Sequence, residues 1–235
     1  NKGWIQSYDD NQKTIVALTK GKESITLEPG GQIELSGAPL DNIHETCKET
    51  TNHLRALKKL GEEFNFILLG IGVEPILKLD DFPWMPKQRY IIMRKYMEKV
   101  GTLGHHMMKR TCTNQVNIDY SSEEDMVNKL RLMLNLEAIA TAIFSNSPFD
   151  RGKISKYKSL RSHFWHHTDP DRTGLLPFVF EKGFNFEEYT DYALNVPMYF
   201  IKRDHKYIDM THYTFKDFLE GKCTDITQEV SLKDW

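Results

Sequence analysis

Short runs of apolar and polar positions mark a sheet at the start of the chain. Thr14-Ile15-Val16-Ala17-Leu18 reads as a strand, Gly21-Lys22 turns it into Ser24-Ile25-Thr26-Leu27, and Pro29-Gly30-Gly31 turns that into Gln32-Ile33-Glu34-Leu35-Ser36. The pattern predicts a three-strand antiparallel meander; Trp4 to Asn11 carries no clear pattern. Strand side chains alternate faces, so Gln32, Glu34 and Ser36 share one face and Ile33 and Leu35 the other, with Glu28 placed to project beside Glu34.

Helical spacing follows. Ile43, Cys47, Leu54, Leu57 and Leu60 make one apolar stripe within Leu40 to Phe64, entered by Asp41 as N-cap and weakened near Gly61. Phe66 to Val73 is a continuous apolar run and reads as a buried strand, and Leu79 to Pro86 as a loop around Trp84. Lys87 to Val100 predicts a helix with Ile91, Ile92, Tyr96 and Val100 inward and Arg89, Arg94, Lys95 and Lys99 outward, ended by Gly101 and Gly104. Met107 to Tyr120 reads as a long strand: after Arg110 come Thr111, Thr113, Gln115, Asn117 and Asp119 on one face and Cys112, Val116 and Ile118 on the other. Ser121-Ser122-Glu123-Glu124 caps a helix reaching Phe144 that is apolar around most of its circumference and is expected to be buried.

Beyond Pro148 the pattern weakens. Asp150 to Lys158 is a polar, basic loop expected to be mobile, and Ser159 to Phe180 resists assignment although dense in Arg, His, Trp and Asp. A short helix over Phe186 to Leu194, a hairpin of Met198 to Ile201 with Lys206 to Ile208 turning at Arg203-Asp204-His205, and a helix over Thr214 to Leu219 capped by Thr214 and Asp217 complete the chain. The expected fold class is α+β, an antiparallel sheet with helices packed on one side, in a single catalytic domain over residues 1–235.

Composition narrows the function. The 235 residues carry 40% hydrophobic and 27% charged positions, as a soluble globular protein does. A net charge of -2 gives no positive field to attract nucleic acid or an anionic membrane, so any phosphate site is local. Three cysteines without a CxxC pair argue against a disulfide framework or structural zinc and for a reducing compartment. No apolar run reaches transmembrane length. The start at Asn1-Lys2-Gly3 and the end at Asp234-Trp235 lead us to expect a piece of a longer protein.

Several chemistries are disfavoured by spacing. His163, His166 and His167 are not arranged as a helical zinc pair, and no HExxH, GxSxG, Walker A or dinucleotide GxGxxG occurs. What remains is a polar wall of Glu28, Gln32, Glu34, Gln115 and Asn117, with Arg89, Arg110, Arg161 and Arg172 near loops. Glutamates alternating on an open sheet face are more often solvated than metal-bound, and any single arginine is as readily a surface ion pair. Together, carboxylates that grip Mg2+ and arginines that grip carboxylates and phosphates suit an enzyme joining ATP to a carboxylate substrate.

The motifs Leu27-Glu-Pro-Gly-Gly-Gln-Ile-Glu-Leu-Ser-Gly-Ala-Pro39, Met85-Pro-Lys-Gln-Arg-Tyr-Ile-Ile-Met-Arg94, Arg110-Thr-Cys-Thr-Asn-Gln-Val-Asn-Ile-Asp119, Leu160-Arg-Ser-His-Phe-Trp165, Asp171-Arg-Thr-Gly-Leu-Leu-Pro-Phe178 and Val196-Pro-Met-Tyr-Phe200 closely resemble glutamate-cysteine ligase of the plant and proteobacterial type. The resemblance runs in order from about Gly21 to Trp235. It implies a fold similar to the glutamine synthetase catalytic sheet. The implied activity is the first step of glutathione synthesis, in which ATP phosphorylates the γ-carboxylate of L-glutamate and the amine of L-cysteine displaces phosphate. It implies ATP and Mg2+ as cofactors and small molecules as partners, with neither nucleic acid nor membrane, and leaves a homodimer open.

Residue by residue, the resemblance places Arg89 and Arg161 on the substrate glutamate, Tyr199 beside the cysteine pocket and Glu28 and Glu34 on the metal side. Gln32, Gln115 and Asn117 line the same face, Arg110 and Arg172 serve the phosphates, and His163 stands behind the site. The family carries an upstream Glu-Lys-Glu strand that nothing before Lys20 matches, so further metal ligands are expected outside this sequence. Cys47 matches a redox cysteine of the plant enzyme but Met210 replaces another, so redox control of the plant kind is not expected. Two other readings stand beside this one: a related ligase with another amine acceptor, and a non-catalytic binding module or pseudoenzyme. A composition rich in Lys, Asn and Ile favours a bacterial cytoplasm over a plastid.

Overall fold

The computed structural model describes residues 3–9, 13–204, 206–224 and 226. Four antiparallel strands, β1 (Ile5–Tyr8), β2 (Ile15–Lys20), β3 (Glu23–Glu28) and β4 (Gln32–Ser36), form a sheet in sequential order. The meander therefore gains an edge strand from residues that carry no clear alternation. The last turn between strands is a short 3-10 segment, Pro29–Gly31, and only glycine suits its middle. Gly30 has φ +78°, and a Cβ there would stand 2.1 Å from the Lys109 carbonyl oxygen.

Helix α1 (Ile43–Phe64) starts from Asn42, whose side chain accepts from the His44 and Glu45 amides; the expected cap was Asp41. It faces the apolar side of the sheet, where Ile25, Leu35, His53 and Ala56 line a shared cleft. Helix α2 (Arg89–Val100) turns Tyr96 inward as expected, joined by Tyr90 and Met97, while Ile91, also expected inward, stays 47% exposed.

The expected strand over Met107 to Tyr120 does not form. Its first residues belong to α3 (Gly104–Arg110), and 112–120 have no regular structure and are exposed. Strand-like alternation was countered by tertiary packing. Met108 is buried with Tyr90 and Met97, and Met107 packs against both that cluster and the one formed by Val73, Leu160 and Phe164. The run Phe66 to Val73 contributes one bridge, Val73 to Thr111, and is otherwise largely exposed.

Helix α4 (Glu123–Ile143) is capped by Ser122, but its expected burial is corrected: Val127 is its one buried residue. An all-round apolar helix needs cover on several faces, and among the described residues Val127 packs only with Val179 and Phe184 and their neighbours. The expected loop from Asp150 begins as a hairpin, β5 (Phe149–Asp150) with β6 (Lys153–Ile154), anchored by the Gly152 amide on the Pro75 carbonyl at 2.8 Å.

Within the stretch that resisted assignment lie α5 (Leu160–His166) and a 3-10 turn at Pro177–Phe180. Then follow α6 (Phe186–Asn195), a hairpin of β7 (Phe200–Arg203) and β8 (Lys206–Asp209), and α7 (Phe215–Leu219) with the expected Thr214–Asp217 capping box. His205 of the expected turn and residues 227–235 lie outside the described residues. The class is α+β, with several small apolar cores, two of which meet at α3.

Candidate active site

The pairing of β3 with β4 puts Thr26 opposite Glu34 and Glu28 opposite Gln32, so Glu28, Gln32 and Glu34 share one face. Their surroundings differ. The Gln32 amide donates to the carbonyls of Pro29 and Met108, each at 2.7 Å, and so ties the sheet to α3. Glu34 is exposed and, among the described residues, accepts only from the Ser36 hydroxyl, at 3.3 Å.

Glu28 is held by three groups. Lys87 lies at 3.2 Å and Arg89 at 3.8 Å, and the Tyr90 hydroxyl donates a short hydrogen bond to it. Burial alone would raise the Glu28 carboxyl; the Tyr90 hydrogen bond and the charges of Lys87 and Arg89 outweigh it and hold the group below its ordinary value. Arg89 also donates to Tyr90 Oη at 2.9 Å, so the hydroxyl links carboxylate and guanidinium.

A carboxyl depressed by folding adds stability above its ordinary value, about pH 4.3, and loses it as pH falls towards the folded value. Glu28→Gln is therefore expected to lower the urea midpoint at pH 7, with the gap to wild type narrowing as pH falls below the ordinary carboxyl value. A gap independent of pH would contradict the charged network.

Arg161, in α5, has different company. Its guanidinium lies 5.5 Å from the Trp165 ring centroid, and its buried Nε has no hydrogen-bond partner. Burial lowers its proton affinity, with only Cys112 opposing. Among the described residues no carboxylate pairs with this cation. Sequestered positive charge without a partner is costly, and an anionic ligand would supply the missing bonds.

The other two arginines, expected at the phosphates, each have carboxylate partners within the protein. The Arg110 side chain is fully buried, 2.8 Å from Asp150 Oδ1, and donates to the Glu74 carbonyl at 3.0 Å and to His106 Nδ1 at 3.0 Å. Burial would raise the Asp150 carboxyl, but Arg110 holds it low. Arg172 donates to Asp169 Oδ2 at 2.6 Å and, by a short bond, to the Pro197 carbonyl, while lying 4.0 Å from the Tyr199 ring centroid. Tyr199 donates to the same Asp169 oxygen at 3.1 Å. Burial, with a smaller contribution from Asp169, raises the Tyr199 hydroxyl, so it stays protonated.

Gln115 and Asn117 sit on the exposed 112–120 segment, bonded to each other at 3.0 Å, and do not extend the sheet face. His163 stacks on Tyr157 at 4.1 Å and touches His167 at 4.4 Å. Sequence reasoning missed Lys87, Tyr90, Asp150 and Asp169. Only Asp169 had a local signal, an acid three residues before Arg172.

The packing brings the useful pieces around α3. Tyr199 packs on the Tyr90, Met97 and Met108 cluster, and Met107 joins that cluster to the one containing Leu160 and Phe164 of α5. Among the described residues no group of three or more Asp, Glu, His or Cys is placed to hold a metal. The donor chemistry nonetheless suits Mg2+, which takes one or two carboxylates with water and phosphate oxygens, and Glu34 is the uncommitted carboxylate of the wall.

A model of glutamate-cysteine ligase family 2 matches residues 5–234. The chain is 55% identical over 233 residues, 99% of its length, to glutamate-cysteine ligase B, chloroplastic, of Oryza sativa subsp. japonica. Over 222 residues, 94% of its length, it is 57% identical to the chloroplastic glutamate-cysteine ligases of Medicago truncatula and Arabidopsis thaliana. It spans 47%, 44% and 42% of those three relatives. The expected bacterial cytoplasm is corrected, because the relatives are chloroplastic enzymes and bulk Lys, Asn and Ile content carries no address.

Proposed function

The chain belongs to glutamate-cysteine ligase family 2, and from that premise we propose that it forms, as one catalytic domain, the substrate wall of an ATP-dependent ligase joining the L-glutamate γ-carboxylate to the L-cysteine amine. The observation that carries this reading is Arg161, a half-buried cation with an unpartnered Nε and no carboxylate partner among the described residues. Arg161 and Arg89 hold the glutamate, Arg89 being aimed by Tyr90 and Glu28.

A γ-carboxylate oxygen attacks the terminal phosphorus of ATP, ADP leaves, and γ-glutamyl phosphate forms. The cysteine nitrogen then attacks the acyl carbon, phosphate departs with the transferred carboxylate oxygen, and the amine loses its proton. Glu34 and Glu28 would hold Mg2+, which would supply neutralising charge at the phosphates. Tyr199 lines the acceptor cleft. No side chain is assigned as general base, since the acyl phosphate is already reactive. The names of the relatives favour a plastid as the compartment.

Full-length protein supplied with ATP, Mg2+, glutamate and cysteine is expected to release ADP and γ-glutamylcysteine together. ADP release indifferent to cysteine would reject this reading.

A further inference from the structure

Asp169 is 1% exposed, yet the ligase chemistry gives it no part to play. Its position is fixed from two sides. The preceding residues are pinned to the α2–α3 junction, where the Thr102 and Leu103 amides donate to the His167 carbonyl at 3.0 Å, and its own carbonyl accepts from the Thr173 amide at 2.8 Å. One carboxylate oxygen accepts the Asp171 amide at 3.1 Å. The other serves two side chains at once, Arg172 at 2.6 Å and Tyr199 at 3.1 Å.

Both of those side chains line an open cleft of about 420 Å³, together with Tyr192, Val196, Pro197 and Met198. Arg172 lies between the Tyr199 ring, at 4.0 Å, and the Tyr96 ring, at 5.2 Å. With its charge met by Asp169, the cleft presents aromatic and hydroxyl surface and no uncompensated cation. Such a wall suits a small amine-bearing amino acid. A phosphate or a dicarboxylate would seek a free arginine such as Arg161.

We propose that Asp169 is the positioning residue of the amine-acceptor cleft, orienting Tyr199 and Arg172 through one shared oxygen. The inference rests on the ligase reading for the identity of the cleft's occupant. Asp169 touches no substrate; it decides where the two wall residues stand.

The test uses full-length protein, with KM measured separately for glutamate, ATP and the acceptor. Asp169→Asn is expected to raise the acceptor KM about tenfold while the other two stay within about twofold. Tyr199→Phe moves the acceptor KM in the same direction by less, and the double variant is no worse than Asp169→Asn alone, because both changes remove one coupled contact. Equal rises in all three KM values, or an acceptor KM that does not move, would overturn the proposal. A crystal structure of Asp169→Asn decides it independently of turnover: displaced Tyr199 and Arg172 side chains support it, and unmoved ones overturn it. A wild-type enzyme inactive with every amine would instead reject the ligase reading.

Discussion

Arg161→Ala is expected to raise the glutamate KM about a hundredfold, because a charge-assisted contact to a carboxylate contributes roughly 1.5–3 kcal/mol and Arg89, the other cation assigned to the glutamate, is already engaged by Glu28 and Tyr90. The cysteine and ATP constants should move far less. Stability offers an independent check. Arg161 has no carboxylate partner among the described residues, and burial already works against its charge, so its removal should leave the urea midpoint unchanged or raise it. Arg161→Lys keeps charge but loses the planar fork, and should fall between wild type and alanine in glutamate use. An unaltered glutamate KM in Arg161→Ala would remove the main support for the proposed site.

Arg110→Ala should do the reverse, costing about 3 kcal/mol of stability by urea titration. The fully buried guanidinium joins Asp150 of the small hairpin to the Glu74 carbonyl, and its loss strands the carboxylate and the carbonyl together. Arg151, at 3.1 Å from the other Asp150 oxygen, is 62% exposed and offers only partial compensation. A change below about 0.5 kcal/mol, the size expected of a surface pair, combined with a raised ATP KM would favour the phosphate role for Arg110 over the structural one.

These opposite expectations for two arginines show what a sequence can and cannot carry. Alternation from Gln32 to Ser36 fixed the shared face of Glu28, Gln32 and Glu34, because period-two geometry is local. The Thr214–Asp217 capping box, the Ser122 cap of α4 and the last hairpin were legible for the same reason. α3 was not. Seven residues from Gly104 to Arg110 are too few to display a helical stripe, and the alternation that follows them reads as a strand that packing does not build.

The partners of the arginines were hidden more deeply. Arg110 finds Asp150 across forty positions and Glu28 finds Lys87 across fifty-nine, distances over which no local pattern operates. All four arginines look alike as letters. Burial and company distinguish the free Arg161 from the committed Arg110 and Arg172.

The ligase account stands most directly on the path of one oxygen atom. With glutamate labelled by 18O in its γ-carboxylate, full-length protein, ATP, Mg2+ and cysteine should yield inorganic phosphate carrying one labelled oxygen per γ-glutamylcysteine formed. Unlabelled phosphate, with the oxygen lost from the γ-carboxylate recovered in water or in ADP instead, would contradict transfer through γ-glutamyl phosphate.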